Sequence, residues 1–217
     1  MNVPSQRLRP RFIVLEGIDG SGTTTQLERL SRYLVTAGRR VHSTREPSQG
    51  PIGQLLRELL LGQHRAVGGA PVDERTMALL FAADRRDHLT REIRPALASG
   101  HDVVSDRYVL SSLAYQSVES DRAWVATLAE GILQPDLTIL LDVSIATALE
   151  RRTLAGRPIE RYDEDGIQSR VAENYRRLAM GDSRVATIDG AGTVDDVAFR
   201  IIDAVDRTFG SGSSGNE

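Results

Sequence analysis

The stretch RFIVLEGIDGSGTTTQ, Arg11 to Gln26, constrains this chain more than any other. A short apolar run ends in a glycine-rich turn, and apolar residues then recur at Leu27, Leu30 and Leu34, the spacing of one helix face. The pattern predicts a buried strand over Arg11–Leu15 and a helix over Thr23–Ala37, stopped by Gly38. A strand that feeds a helix in this way belongs to a parallel sheet with helical crossovers. The turn is one residue away from a phosphate-binding pattern, G-x-x-x-x-G-K-[ST]. Gly17, Gly22 and Thr24 are in place, but Thr23 stands where that pattern has lysine.

In such a turn the backbone N–H groups point inward, and the positive end of the following helix adds to them, so the two together cradle phosphate oxygens. Here the cradle would be Gly17, Ile18, Asp19, Gly20, Ser21, Gly22, Thr23, Thr24 and Thr25, with the Thr24 hydroxyl available to Mg²⁺. The competing reading of the stretch, as a plain tight strand-to-helix turn, is the weaker one, because strand, glycine-rich turn and helix follow in the right order. All 27 basic residues are arginine and the chain has no lysine, so no lysine elsewhere replaces the one missing at position 23. The absence of cysteine excludes disulfides, zinc–thiolate sites and thiol catalysis. A net charge of -3 argues against coating nucleic acid. No apolar run is long enough to cross a bilayer, and the basic start MNVPSQRLRPR has no apolar core behind it. The expectation is a cytoplasmic protein with no nucleic-acid or membrane partner.

Beyond the first unit, strands are predicted over Arg40–Thr44, Asp102–Ser105, Leu137–Val143 and Arg184–Asp189. Helices are predicted over Pro51–Leu61, Glu74–Ala98, Asp121–Leu133, Ser144–Arg152, Ser169–Met180 and Val194–Thr208, with Pro95 bending or shortening the end of the second. Residues 62–72 read as a loop. The segment TLAGRPIERYDEDG is polar and arginine-rich. The fold class is therefore α/β: a five-stranded parallel sheet covered by helices on both faces. Its single domain spans 11–209, between flexible tails at 1–10 and 210–217.

Two further stretches are tuned to anions. T-R-E-P puts Arg45 just past the second strand, and D-R-Y puts Asp106 and Arg107 just past the third. In open α/β sheets ligands gather at the carboxyl ends of the strands. Each arginine alone reads as a surface residue; two of them beside a phosphate loop read as a site. The motifs EGIDGSG, TREPSQGPIG, LLFAADR, DRYVLSSLAYQ, PDLTILLDV and ERYD, in this order, resemble those of thymidylate kinases, from about Phe12 to about Met180. These are P-loop NTPase-type enzymes that transfer the γ-phosphoryl group of ATP to dTMP.

The resemblance implies the following roles. Gly17 to Thr24 would hold the ATP phosphates, while Thr24 and Asp106 would bind Mg²⁺. Asp19 would face the sugar of dTMP. Arg45 and Arg107 would grip the dTMP phosphate, with Arg107 close to the transferring group. Phe81 would stack on thymine and Arg85 would hydrogen-bond its edge, with Ser112, Tyr115 and Gln116 lining the pocket. A small lid would cover about 153–166, carrying Arg157 and the catalytic Arg161, and Arg107, Arg161 and Asp19 would form the catalytic set. A homodimer is also implied. Taken singly, Phe81 and Tyr115 read as core aromatics, Asp106 as a turn cap, Asp142 as structural and the lid arginines as a solvated face. Thr23 for lysine, Ser48–Gln49 for a common glycine pair, and SVES after Gln116 depart from the family pattern. They leave open a weak or inactive nucleotide-binding homologue and a kinase for another nucleoside monophosphate. A guanine-reading N-K-x-D segment is absent.

Overall fold

The computed structural model describes residues 9–65 and 68–210. The tail assignments 1–8 and 211–217, and part of the 62–72 loop, lie outside the described residues. Five parallel strands form one sheet in the order β2-β3-β1-β4-β5. They are β1 Phe12–Glu16, β2 Val41–Arg45, β3 Asp102–Asp106, β4 Leu137–Asp142 and β5 Val185–Asp189. The fold is the α/β class expected. Most strands start or end one residue away from the boundary read in the sequence.

The side chains of β1 alternate between two cores, as the pleat requires. Ile13 and Leu15 pack with Leu27, Leu30 and Leu34 of α1 (Thr23–Thr36) and with Val197, Ile201 and Val205 of α9 (Val194–Phe209). Phe12 and Val14 pack on the other face with Leu89, Ile93, Val103 and Tyr108. A third cluster lies towards the strand ends. It joins Leu56 of α2 (Pro51–Leu60), Met77 of α3 (Glu74–His88), Tyr115 of α5 (Val109–Tyr115) and Val171 and Tyr175 of α8 (Asp165–Ala179).

Four helical expectations need correction. The segment 74–98 is not cut by Pro95. The chain passes from α3 through a wide π-helical turn, Leu89–Ile93, into α4 (Arg94–Ala98), and this turn precedes the proline that lacks a donor. The helix expected over 121–133 is only α6, Arg122–Thr127, followed by turns that run to Gly131 in a left-handed conformation. Helix α7 runs Ile145–Leu154, and α8 begins at Asp165, so the polar connection between them is shorter than its sequence suggests. The fourth, α5, was not anticipated at all. Its start lacks a side-chain cap of its own. Glu16, from the end of β1, accepts hydrogen bonds from the N–H groups of Tyr108 and Ser111 instead, at 2.9 and 3.2 Å. None of the described helices is long and apolar enough to cross a membrane.

Candidate active site

The carboxyl ends of the strands open onto a cavity of about 880 Å³. The glycine-rich loop forms its floor. Gly20 and Gly22 have φ of 89° and 99°, a conformation that costs glycine little and other residues more. Gly20 is also a point of close approach: a Cβ there would lie 2.3 Å from the Ala148 carbonyl oxygen of α7. Helix α7 therefore rests directly on the loop. Thr23, in the lysine position, lines the cavity and is 5% exposed.

Thr24 and Asp106 meet as expected. The Thr24 hydroxyl donates to Asp106 Oδ2 at 2.5 Å. Asp106 Oδ1 is buried and has no hydrogen-bond partner among the described residues. No group of three or more His, Cys, Asp or Glu among the described residues forms a cage for a metal. One carboxylate and one hydroxyl at a phosphate loop suit Mg²⁺, which keeps several waters and takes substrate phosphate oxygens as ligands.

Arg107 follows β3 with φ of 71°, the one positive φ outside glycine among the described residues. Such a conformation is costly unless the surroundings fix it. Here its N–H donates to the Leu15 carbonyl at 2.8 Å, and its own carbonyl accepts from Ser105 Oγ at 2.8 Å. The guanidinium is thereby turned inward. It donates to the Gly17 carbonyl at 2.8 Å and to Asp19 Oδ1 at 2.7 Å. The other Asp19 oxygen accepts from Tyr115 Oη at 2.9 Å and Gln168 Nε2 at 3.0 Å. Burial alone would raise the Asp19 pKa, but Arg107 and the Tyr115 and Gln168 donors outweigh it and hold the carboxyl below its ordinary value. Burial pushes the Tyr115 phenol upward, so it keeps its proton and donates it to Asp19. Beneath them Glu16 is fully buried. Desolvation raises its pKa against the opposing pull of Ser111 and Arg107.

The wall opposite the loop is lined by Phe81, Ser112, Tyr115 and Gln116, with Arg45 and Arg57 on the side of β2 and α2. Arg85 departs from expectation. It is 1% exposed and lies behind Ser112, donating to Ser112 Oγ, rather than lining the cavity. Glu46 holds it from the other side at 3.2 Å, and His88 Nδ1 lies 3.2 Å from the second Glu46 oxygen. Asp84, one residue before Arg85, accepts from the Ser48 N–H and hydroxyl at 2.8 and 2.5 Å. Serine at the first position of the common glycine pair is thus used as an anchor.

The arginines of the lid and of α7 before it divide. Arg161 is expected at the reacting phosphates, but it does not line the cavity; it pairs with Glu74 at the start of α3, at 2.5 Å. Arg151, Arg152 and Arg157 do line it. Asp142 is structural, paired with Arg176 at 2.8 Å. The sequence reading missed Glu16, Arg57, Gln168 and Tyr175. Arg57 carries no local signal beyond the polar side of an amphipathic helix, and the other three are recognisable only once distant segments meet.

Comparison with known proteins points to one family. The family model described as thymidylate kinase matches residues 15–201. A probable thymidylate kinase of Thermococcus gammatolerans is 37% identical over 206 residues, covering 93% of this chain and 98% of its own. Thymidylate kinases of Burkholderia vietnamiensis and Burkholderia cenocepacia are 40% and 42% identical, covering 89% and 86% of this chain and 96% and 93% of their own. The chain belongs to the thymidylate kinase family.

Proposed function

We propose that the cavity binds ATP over the glycine-rich loop and dTMP against Phe81, and that the chain transfers the γ-phosphoryl group of ATP to dTMP, giving dTDP and ADP on the route to dTTP. The observation that carries this reading is the position of Arg107. Its guanidinium touches both the loop carbonyl of Gly17 and the carboxylate of Asp19, so it stands where the donor and acceptor halves of the cavity meet.

Phosphoryl transfer between nucleotides asks the protein mainly to align two phosphates and to spread their charge. The acceptor is a phosphate oxygen already ionised near neutral pH, so no strong general base is needed. Loop N–H groups of Gly17 to Thr25 hold the donor phosphates. Arg45, Arg57 and Arg107 converge on the acceptor phosphate. Phe81 offers a flat face to the base. Ser112 and Gln116 supply polar atoms to the base edge, with Arg85 holding Ser112 from behind. Asp19, fixed by Tyr115 and Gln168, faces the sugar. Mg²⁺, held by Thr24 and the free oxygen of Asp106, would neutralise charge on the donor phosphates. Among the lid arginines, Arg157 lies at the cavity, and Arg161 reaches it only by leaving Glu74. Residence in the cytoplasm and assembly as a homodimer complete the reading, on family grounds.

The test is chromatographic detection of dTDP from ATP, Mg²⁺ and dTMP with purified protein, beside dUMP, dCMP, dGMP and UMP as acceptors. The expected result is dTDP, with dTMP the preferred acceptor. No dTDP above an enzyme-free blank would sink the reading, and a stronger signal with another acceptor would reassign the substrate.

A further inference from the structure

The phosphate loop lacks its lysine, and Thr23 brings no charge. Around this loop, however, three guanidinium groups bind alternate carbonyls. Arg107 donates to Gly17, Arg152 to Asp19 and Arg151 to Ser21, at 2.8, 2.9 and 3.1 Å. Each of these oxygens belongs to the peptide unit whose N–H is that of Ile18, Gly20 or Gly22. A carbonyl drawn to a cation polarises its own peptide, which strengthens the N–H on the same unit.

The three cations differ in what else they bind. Arg107 is paired with the carboxylate of Asp19, and Arg152 lies 3.7 Å from that of Asp163. The bonds of Arg151 go to uncharged carbonyls, those of Ser21 and Gly190, at 3.1 and 3.0 Å. Among the described residues it is paired with no carboxylate. It also stands close to the gap: its Nη1 would lie 3.8 Å from a Cβ built on Gly22, the residue before Thr23, and Arg151 and Thr23 line the same cavity. The contact of α7 with Gly20 fixes this placement, since a side chain at residue 20 would push the helix and its two arginines away.

We propose that Arg151 is the donor-phosphate cation of this site, supplying from α7 the charge that other phosphate loops carry on their own lysine. The inference rests on the kinase reading above and adds to it the source of the missing charge. A guanidinium anchored on the outside of the loop lends charge without occupying the turn, which a planar fork at residue 23 would crowd. It also couples α7, and through it the lid, to the donor site.

The experiment compares wild type, Arg151→Gln, Arg151→Lys, Thr23→Lys and Thr23→Lys/Arg151→Gln, all in the full chain. Two quantities are read: kcat/KM for ATP at saturating dTMP, and calorimetric affinity for inorganic tripolyphosphate, which has phosphates but no base. Arg151→Gln is expected to weaken tripolyphosphate binding roughly 10- to 100-fold, the range for losing a charge-assisted bond. It should lower kcat/KM at least as much, while dTMP affinity stays within about twofold. Arg151→Lys should retain most of both. In the Thr23→Lys background the same loss should shrink by about tenfold or more, because two groups that supply one charge are not additive. Equal losses in both backgrounds, or unchanged tripolyphosphate affinity in Arg151→Gln, would overturn the proposal and leave Arg151 a structural bridge or a contact to the donor base. Failure of the kinase reading is separate: it would appear as absence of dTDP from wild type, whatever tripolyphosphate does.

Discussion

The two halves of the cavity are built on different principles. On the donor side the ligand-facing groups are backbone N–H groups of a glycine-rich turn, and the side chains around them hold that backbone from outside. On the other side the wall is held by side chains that pair with one another in the interior: Asp19 with Arg107, and Glu46 with Arg85 and the imidazole of His88. A backbone cradle tolerates a change at one side chain, since its donors are present in every residue. A buried charge network does not, because removing one member leaves its partner desolvated and unpaired. Thr23 for lysine falls on the side where the backbone supplies the donors, and there the proposed role of Arg151 concerns only the missing charge.

This contrast is tested most severely at Arg107, the residue that belongs to both halves. Arg107→Gln removes a preorganised cation at the phosphates and leaves Asp19 buried without its counter-charge. Expected losses are about 10²–10³ in kcat/KM and roughly 3 kcal/mol in stability, read by dTDP formation and by urea denaturation. Thr23→Val, which deletes only a hydroxyl on the donor side, should cost less than tenfold in rate and little stability. Equal effects from the two substitutions would erase the distinction.

A sharper form of the contrast needs a residue whose work is to hold other side chains of the network. Glu46 borders the cavity with its side chain only 5% exposed, held between Arg85 and His88. Glu46→Gln keeps the shape and removes the carboxylate, so Arg85 and the His88 imidazole lose their common partner. A destabilisation of about 2–3 kcal/mol is expected. A several-fold rise in KM for dTMP should accompany it as Arg85 loosens behind Ser112, with KM for ATP unchanged. Parallel changes in both KM values would mean that the acceptor wall is not an independent unit.

Much of this was legible in the sequence, and what was not has a common cause. The glycine pattern, the apolar strands and the amphipathic helices act over a few residues, so the sheet and the cradle from Gly17 to Thr24 were readable. The Thr24–Asp106 pair came through the family resemblance alone, since Asp106 taken singly reads as a turn cap. Helix α5 was not readable, because its first N–H groups are satisfied by Glu16, more than 90 residues away. Arg85 and Arg161, to which the family resemblance gives ligand contacts, pair here with carboxylates from distant segments, Glu46 for one and Glu74 for the other. Arg151 is one of several arginines around the lid in the sequence, and only the packing of α7 on Gly20 singles it out.

The smallest expected effect concerns His88, the titratable member of the acceptor network. Its imidazole is buried against Glu46, Glu92 and Thr44, with Asp84 and Arg85 on the same helix. Burial would lower its pKa, but the hydrogen bond and charge of Glu46, with Glu92 and Asp84 behind, raise it above the ordinary 6.5. The folded chain thus holds this proton more tightly than the unfolded chain. By linkage, the stabilisation is fully present below pH 6.5 and is lost as the pH rises through the folded value. Thermal melting between pH 6 and pH 9 should show stability falling with pH in wild type, and a flatter profile in His88→Gln. Thr23→Val, changed only in the donor half, should keep the wild-type slope. A slope that survives in His88→Gln would assign the pH dependence to another group. A slope altered by Thr23→Val would show that the two halves share their electrostatics after all.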